Sequence, residues 1–138
     1  KVWKEPGFFL LHPLAIAAFG RECTRRGVPP PTTSLFGSQF LTWRGIPLIP
    51  SDKLPIKDGK SKIILLRTGE SRQGVIGLIQ PGLQGEQSPG LSVRFMGINE
   101  KAIASYLVSL YCSLAVLVDD AIAVLEDVEI GKYHEYKY

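Results

Sequence analysis

Metal-binding side chains, long apolar runs and a dominant charge are all scarce in this chain of 138 residues. Its two histidines are His12 and His134, and no cysteine or carboxylate stands near either at ligand spacing. That excludes a zinc site, which needs several such groups converging. The two cysteines, Cys23 and Cys112, lie far apart in apolar surroundings with no CxxC pair. They read as reduced, packed thiols of a cytosolic protein. The net charge is only +3, and the basic residues are scattered apart from Arg21, Arg25 and Arg26 and the lysines from Lys53 to Lys62. No basic face with interleaved aromatics forms, so no nucleic-acid partner is expected.

The longest uncharged run, 102–118, falls short of the roughly 20 mostly apolar residues of a membrane span. It also contains Ser105, Ser109, Ser113, Tyr106 and Tyr111, and the flank that follows is acidic, so no membrane span is expected.

What is present is an ordinary globular composition, 45% apolar and 21% charged, with length enough for one domain and its core. At period two, Val108, Leu110, Cys112, Leu114, Val116 and Val118 are all apolar, while the alternate positions are mixed. That pattern predicts one long strand, 106–118, with a dry face. "HPLAIAAFGRECTRRG" predicts a helix over 12–27. His12 is its cap, Pro13 its first residue, and Gly27 its left-handed stop. Gly20 in its middle suggests a close backbone approach.

An extended connector, "VPPPTT", follows, then two short strands within 35–50 broken at Arg44-Gly45. A polar loop over 51–62 turns at Asp58-Gly59. Strands are predicted at 62–67, 74–80 and 91–98, and 81–90 reads as a loop too polar to pack. "NEKA" turns the chain, through one helical turn, into the long strand. A short turn and a final apolar segment close the pattern. The fold class is α+β, with more sheet than one helix can cover; bare sheet edges are an aggregation hazard for a lone monomer.

No catalytic constellation emerges. Cys112 lies on the dry face, where a thiolate is disfavoured. Cys23 lies among arginines but has no partner base. "GESRQG", 69–74, has the glycines of a phosphate loop, but Val75 stands where the lysine belongs. Asp119 and Asp120 are adjacent, so they diverge rather than face one site, and they read as caps of the following turn. No enzyme activity and no cofactor are expected.

The order of segments resembles the C-terminal half of the tailed-phage major capsid fold. The helix 12–27, Gly45-Ile46-Pro47, Ser51-Asp52-Lys53-Leu54-Pro55, the strand at 63–66, the long strand and the Asp119-Asp120 turn carry that resemblance. Longer words are more specific. "HPLAIAAFGRECTRRGVPPPT", "FLTWRGIPLIPSDKLP", "LLRTGESRQGV" and "GLSVRFMGINEKAIASYL" resemble encapsulin shell proteins of the second family, in the subtype without an inserted nucleotide-binding domain. The likeness covers nearly all of 12–133. Family members are about twice this length and Lys1 is not a start methionine, so the chain is expected to be a C-terminal half.

The resemblance implies a structural protein. Sixty copies would build a closed icosahedral nanocompartment in the bacterial cytoplasm, enclosing a cysteine desulfurase and so linked to sulfur metabolism. It implies a lead-in loop over 1–11 near the fivefold pore, with Glu5, Pro6, Gly7, Phe8 and Phe9 as pore-proximal residues. Residues 12–96 would be mostly axial domain. Residues 97–128 would be a long strand and terminal segment shared with the peripheral domain, and 129–138 a C-terminal tail. The alternatives are a phage or prophage major capsid protein and a small cytosolic enzyme with an unrecognised site.

Overall fold

The computed structural model describes residues 7–131. The described chain is α+β, with one helix and eleven strands: β1 (Phe8–Leu11), α1 (Pro13–Arg25), β2 (Thr32–Leu35), β3 (Ser38–Trp43), β4 (Ile46–Pro50), β5 (Lys60–Leu66), β6 (Val75–Ile79), β7 (Glu86–Ser88), β8 (Leu91–Ile98), β9 (Ala104–Leu110), β10 (Cys112–Val116) and β11 (Ile122–Glu129). It divides into two compact units. One runs up to Val75 and resumes at Val116; the other is Ile76–Ala115.

The first unit is built on a six-stranded sheet ordered β11-β5-β1-β4-β3-β2. β1 pairs parallel with β4 and antiparallel with β5. The expected lead-in loop is therefore corrected over Phe8–Leu11, which lies inside the sheet. The physical reason is the apolar run Phe8-Phe9-Leu10-Leu11, which is excluded from water by lying between the equally apolar β4 and β5. Helix α1 follows the expected chemistry closely. His12 Nδ1 accepts from the Leu14 N–H at 3.1 Å. At the other end the Val28 N–H donates to the Cys23 carbonyl and the Gly27 N–H to the Thr24 carbonyl, with Gly27 at φ +68°. This paired 6→1 and 5→2 closure satisfies the last carbonyls. The expected close approach at Gly20 is absent: open space surrounds the position a Cβ would take.

Leu11, Ala15, Leu48 and Ile130 form the buried core between α1 and the sheet, with Ile16 and Phe19 packed on it. Arg21 ties the helix to the end of β11 by donating to the Ile130 carbonyl at 3.1 Å. The two strands expected within 35–50 are β3 and β4, broken at Arg44-Gly45, and β2 precedes them where the extended connector was expected to end. β2 forms because Thr42 secures the end of the proline run, its backbone N–H and its hydroxyl both donating to the Pro31 carbonyl.

In the second unit, β7-β8-β9 form one antiparallel sheet, and β6 pairs with β10 in a two-stranded ladder. The expected single long strand breaks at Tyr111. The Tyr111 N–H donates to Gly90 and its carbonyl accepts from Gln80, so the chain changes partners there. Its apolar face is not dry within this chain: Val108 is 63% exposed and Leu114 75% exposed. Alternation marks a face as apolar but does not supply what covers it. Cys112 is exposed, which corrects its reading as a packed thiol, while Cys23 is half-buried.

The Pro/Gly loop 81–90 is more ordered than expected, because the Glu86 carboxylate accepts from the Gly82 and Gly90 N–H groups at 3.0 Å each. The "NEKA" turn is not helical. Asn99 Oδ1 accepts from the Lys101 and Ile103 N–H groups, a side-chain-built turn that holds Ala102 at φ 58°.

Candidate assembly surfaces

Glu5 and Pro6 lie outside the described residues. Gly7 donates its N–H to the Leu66 carbonyl at 2.8 Å, and a Cβ there would meet the same oxygen, so close backbone approach requires glycine. Phe8 pairs with Leu66 across β1–β5. The Phe9 ring meets Trp43 edge-on at 5.8 Å and packs against both core clusters of the first unit. These aromatics belong to the sheet and its packing, and their strand brings Gly7 beside the end of β5.

The other sequence candidates do not converge. Among the described residues no three His, Cys, Asp or Glu side chains gather to hold a metal. Among the same residues no helix is long and apolar enough to cross a membrane. The "GESRQG" segment bonds to itself and its neighbours. Gln73 N–H donates to Glu70, Gly74 N–H to Gly69 and Val75 N–H to Arg67, so these amides do not cradle an anion. Near Cys23, Arg25 and Arg26 both close on Glu22, at 2.7 and 2.6 Å. Those hydrogen bonds hold the Glu22 carboxyl down at about 2. Between β5 and β11, Lys62 donates to Glu126, which raises the lysine's pKa and lowers the carboxyl's. Asp119 and Asp120 open a single 3-10 turn, Asp119–Ala121, whose cap position is Val118 with no side-chain hydrogen bond.

What the described chain presents instead is apolar surface. In the first unit α1 covers only part of the sheet. The remainder, floored by Phe9, Leu65 and Ala123 and walled by Phe19 and Trp43, is an open groove of about 1120 Å³. In the second unit, the exposed apolar side chains of β8 and β9 include Phe95, Met96, Ile98, Tyr106 and Val108. Exposed apolar side chains on paired strands, such as Phe95 beside Tyr106, mark contact with another polypeptide or an aggregation liability.

Sequence reasoning passed over one further position. Phe36 sits at the tip of the β2–β3 hairpin, 88% exposed and at φ 52°. The dipeptide Phe36-Gly37 between two polar-apolar runs was the available signal, since X-Gly at such a spacing marks a tight hairpin.

Residues 1–132 match the family model described as "Type 2A encapsulin shell protein SrpI-like". The chain is 75% identical over 138 residues to the type 2A encapsulin shell protein SrpI of Synechococcus elongatus, covering all of this chain and 45% of that protein. It is 74% identical over 137 residues to the type 2A encapsulin shell protein of Mycolicibacterium paratuberculosis, covering 99% of this chain and again 45% of the relative. Among solved structures it is similar to the cryo-EM structure of the holo-SrpI encapsulin complex from Synechococcus elongatus. That match has a TM-score of 0.87 and 76% identity, over 99% of this chain and 49% of that one. The chain therefore spans about half the length of the relatives it matches. The chain belongs to the type 2A encapsulin shell protein family, SrpI-like.

Proposed function

We propose that this chain is part of a structural protein that assembles with copies of itself, sixty in number, into a closed icosahedral compartment in the bacterial cytoplasm. The observation that carries this reading is 75% identity to a named shell protein along the entire chain. The exposed apolar strands support it, because a shell subunit must keep surface in reserve for its neighbours. A closed shell repeats a few contacts many times, so each can be weak while the whole persists. Uniform hollow particles of megadalton mass, seen by negative-stain electron microscopy after a sizing column on native material, are the expected result. A small monodisperse species from the protein at full encoded length would overturn the reading.

The cargo is a cysteine desulfurase, an assignment that rests on the family subtype the sequence resembles. Its test is mass spectrometry and activity measurement on native particles; particles holding neither the polypeptide nor the activity would remove it. The axial domain corresponds mostly to 12–96. Residues 97–128 are shared with the peripheral domain, and the tail follows. Glu5, Pro6 and Gly7 approach the fivefold pore, while Phe8 and Phe9 lead from it into the sheet. Replacing Glu5 with Lys is then expected to change the passage of small anions through assembled shells. Unchanged permeation would remove the pore assignment.

A further inference from the structure

Three two-residue turns of the first unit share one backbone geometry, with both central residues at positive φ. They are Phe36-Gly37, Arg44-Gly45 and Asp58-Gly59. The flanking residues pair directly, Leu35 with Ser38, Trp43 with Ile46 and Lys57 with Lys60. Such turns favour Asn, Asp or Gly at the first central position, because a larger side chain is strained there. Asp58 obeys that rule. Arg44 departs from it but has a partner within the chain, its guanidinium lying 4.7 Å from the Trp43 ring centre. Phe36 departs from it with 88% of its surface in water. Its ring is thus unfavourable twice in the free chain, once for backbone strain and once for hydration.

We propose that Phe36 is an assembly anchor, seated in an apolar surface of a second copy of this chain. The inference rests on the shell reading above and adds a specific contact to it. The occupant follows from what one molecule displays. Among the described residues β2 is an edge strand of the six-stranded sheet, and Phe36 stands at the tip of its hairpin with β3. The same chain exposes apolar side chains elsewhere, with Leu114 and Leu125 at 75% and 60% exposure. A knob on one copy that meets apolar surface at a different place on the next makes a heterologous contact, the kind that closes rings and shells. A buried aromatic at the centre of such a contact carries much of its association strength.

The test uses Phe36→Asn in the protein at full encoded length. Asn-Gly is the favoured sequence for this turn, so the subunit is expected to fold as well as or better than the parent. The contact, by contrast, is expected to weaken roughly tenfold or more. The readouts are the assembled fraction on a sizing column at limiting concentration and the thermal melt of the unassembled pool. Expected are fewer particles, an unchanged or higher melting temperature of the subunit, and recovery of assembly in Phe36→Tyr. Equal assembly of parent and Phe36→Asn overturns the anchor. A lowered subunit melt also overturns it, by placing the contact within one chain, and so do intact particles that have lost only their contents. If the parent itself forms no particles, the shell reading fails first, which separates the two failures.

Discussion

Gly20 interrupts α1 where nothing approaches it, so the helix carries the conformational cost of a glycine without a packing reason. Gly20→Ala is expected to raise stability by about 0.5–1 kcal/mol, read as a higher midpoint in urea unfolding. Two residues further along the same helix, the Glu22 cluster sets a pH response. The carboxyl titrates at about 2 in the folded chain against an ordinary value of 4.5. Because the folded value is the lower one, its stabilisation is fully present above the ordinary value and fades as pH falls from about 4.5 through about 2. All three side chains are exposed, so the effect is small and screened by salt. Melting curves of the parent and Glu22→Gln should differ near neutral pH and converge towards pH 2.

At the scale of elements, the loop 81–90 shows how one side chain orders a stretch whose composition reads as loose. Both oxygens of Glu86 receive backbone N–H groups, from Gly82 and Gly90. Gly90 also lies at φ +81°, where any Cβ would run into Ile79. Glu86→Ala is expected to speed hydrogen exchange at Gly82 and Gly90 by tenfold or so, the weight of a charge-assisted bond. Unchanged exchange would show that the strand pairing of β7 with β8 suffices. The core between α1 and the sheet answers differently. Leu48, buried against Leu11 and Ile130, is expected to cost about 2–5 kcal/mol when cut to alanine, seen in the same urea titration. The helix and its caps were legible because each signal is local: His12 and Pro13 act on the first turn and Gly27 on the last. The place of β1 was not, because its partners β4 and β5 lie tens of residues away in sequence.

For the whole molecule, the exposed apolar strands imply a chain that does not remain dispersed by itself. The 138-residue chain is expected to self-associate on its own, and Val108→Lys with Leu114→Lys to reduce light scattering at equal concentration. The candidate surface was half legible. The even-numbered positions of 108–118 were identified as apolar correctly, but the break at Tyr111 divides them between β9 and β10, in different sheets. Their exposure could not be read, since period-two alternation is the same whether the cover comes from this chain or another. Phe36 was missed because its significance lies in positive φ and full exposure together, neither of which composition reports.

By itself the sequence determined the α+β class, the helix and its ends, the tight turns at Arg44-Gly45 and Asp58-Gly59, and, through its long shared words, the shell family. Those are properties of short segments, where side-chain chemistry acts on its own backbone or is matched letter by letter. Tertiary structure decided that Phe8–Leu11 is an inner strand and that the long strand changes partners at Tyr111. Each of these depends on which distant hydrogen-bonding groups and apolar surfaces meet, and a linear pattern leaves that choice open until the chain has folded.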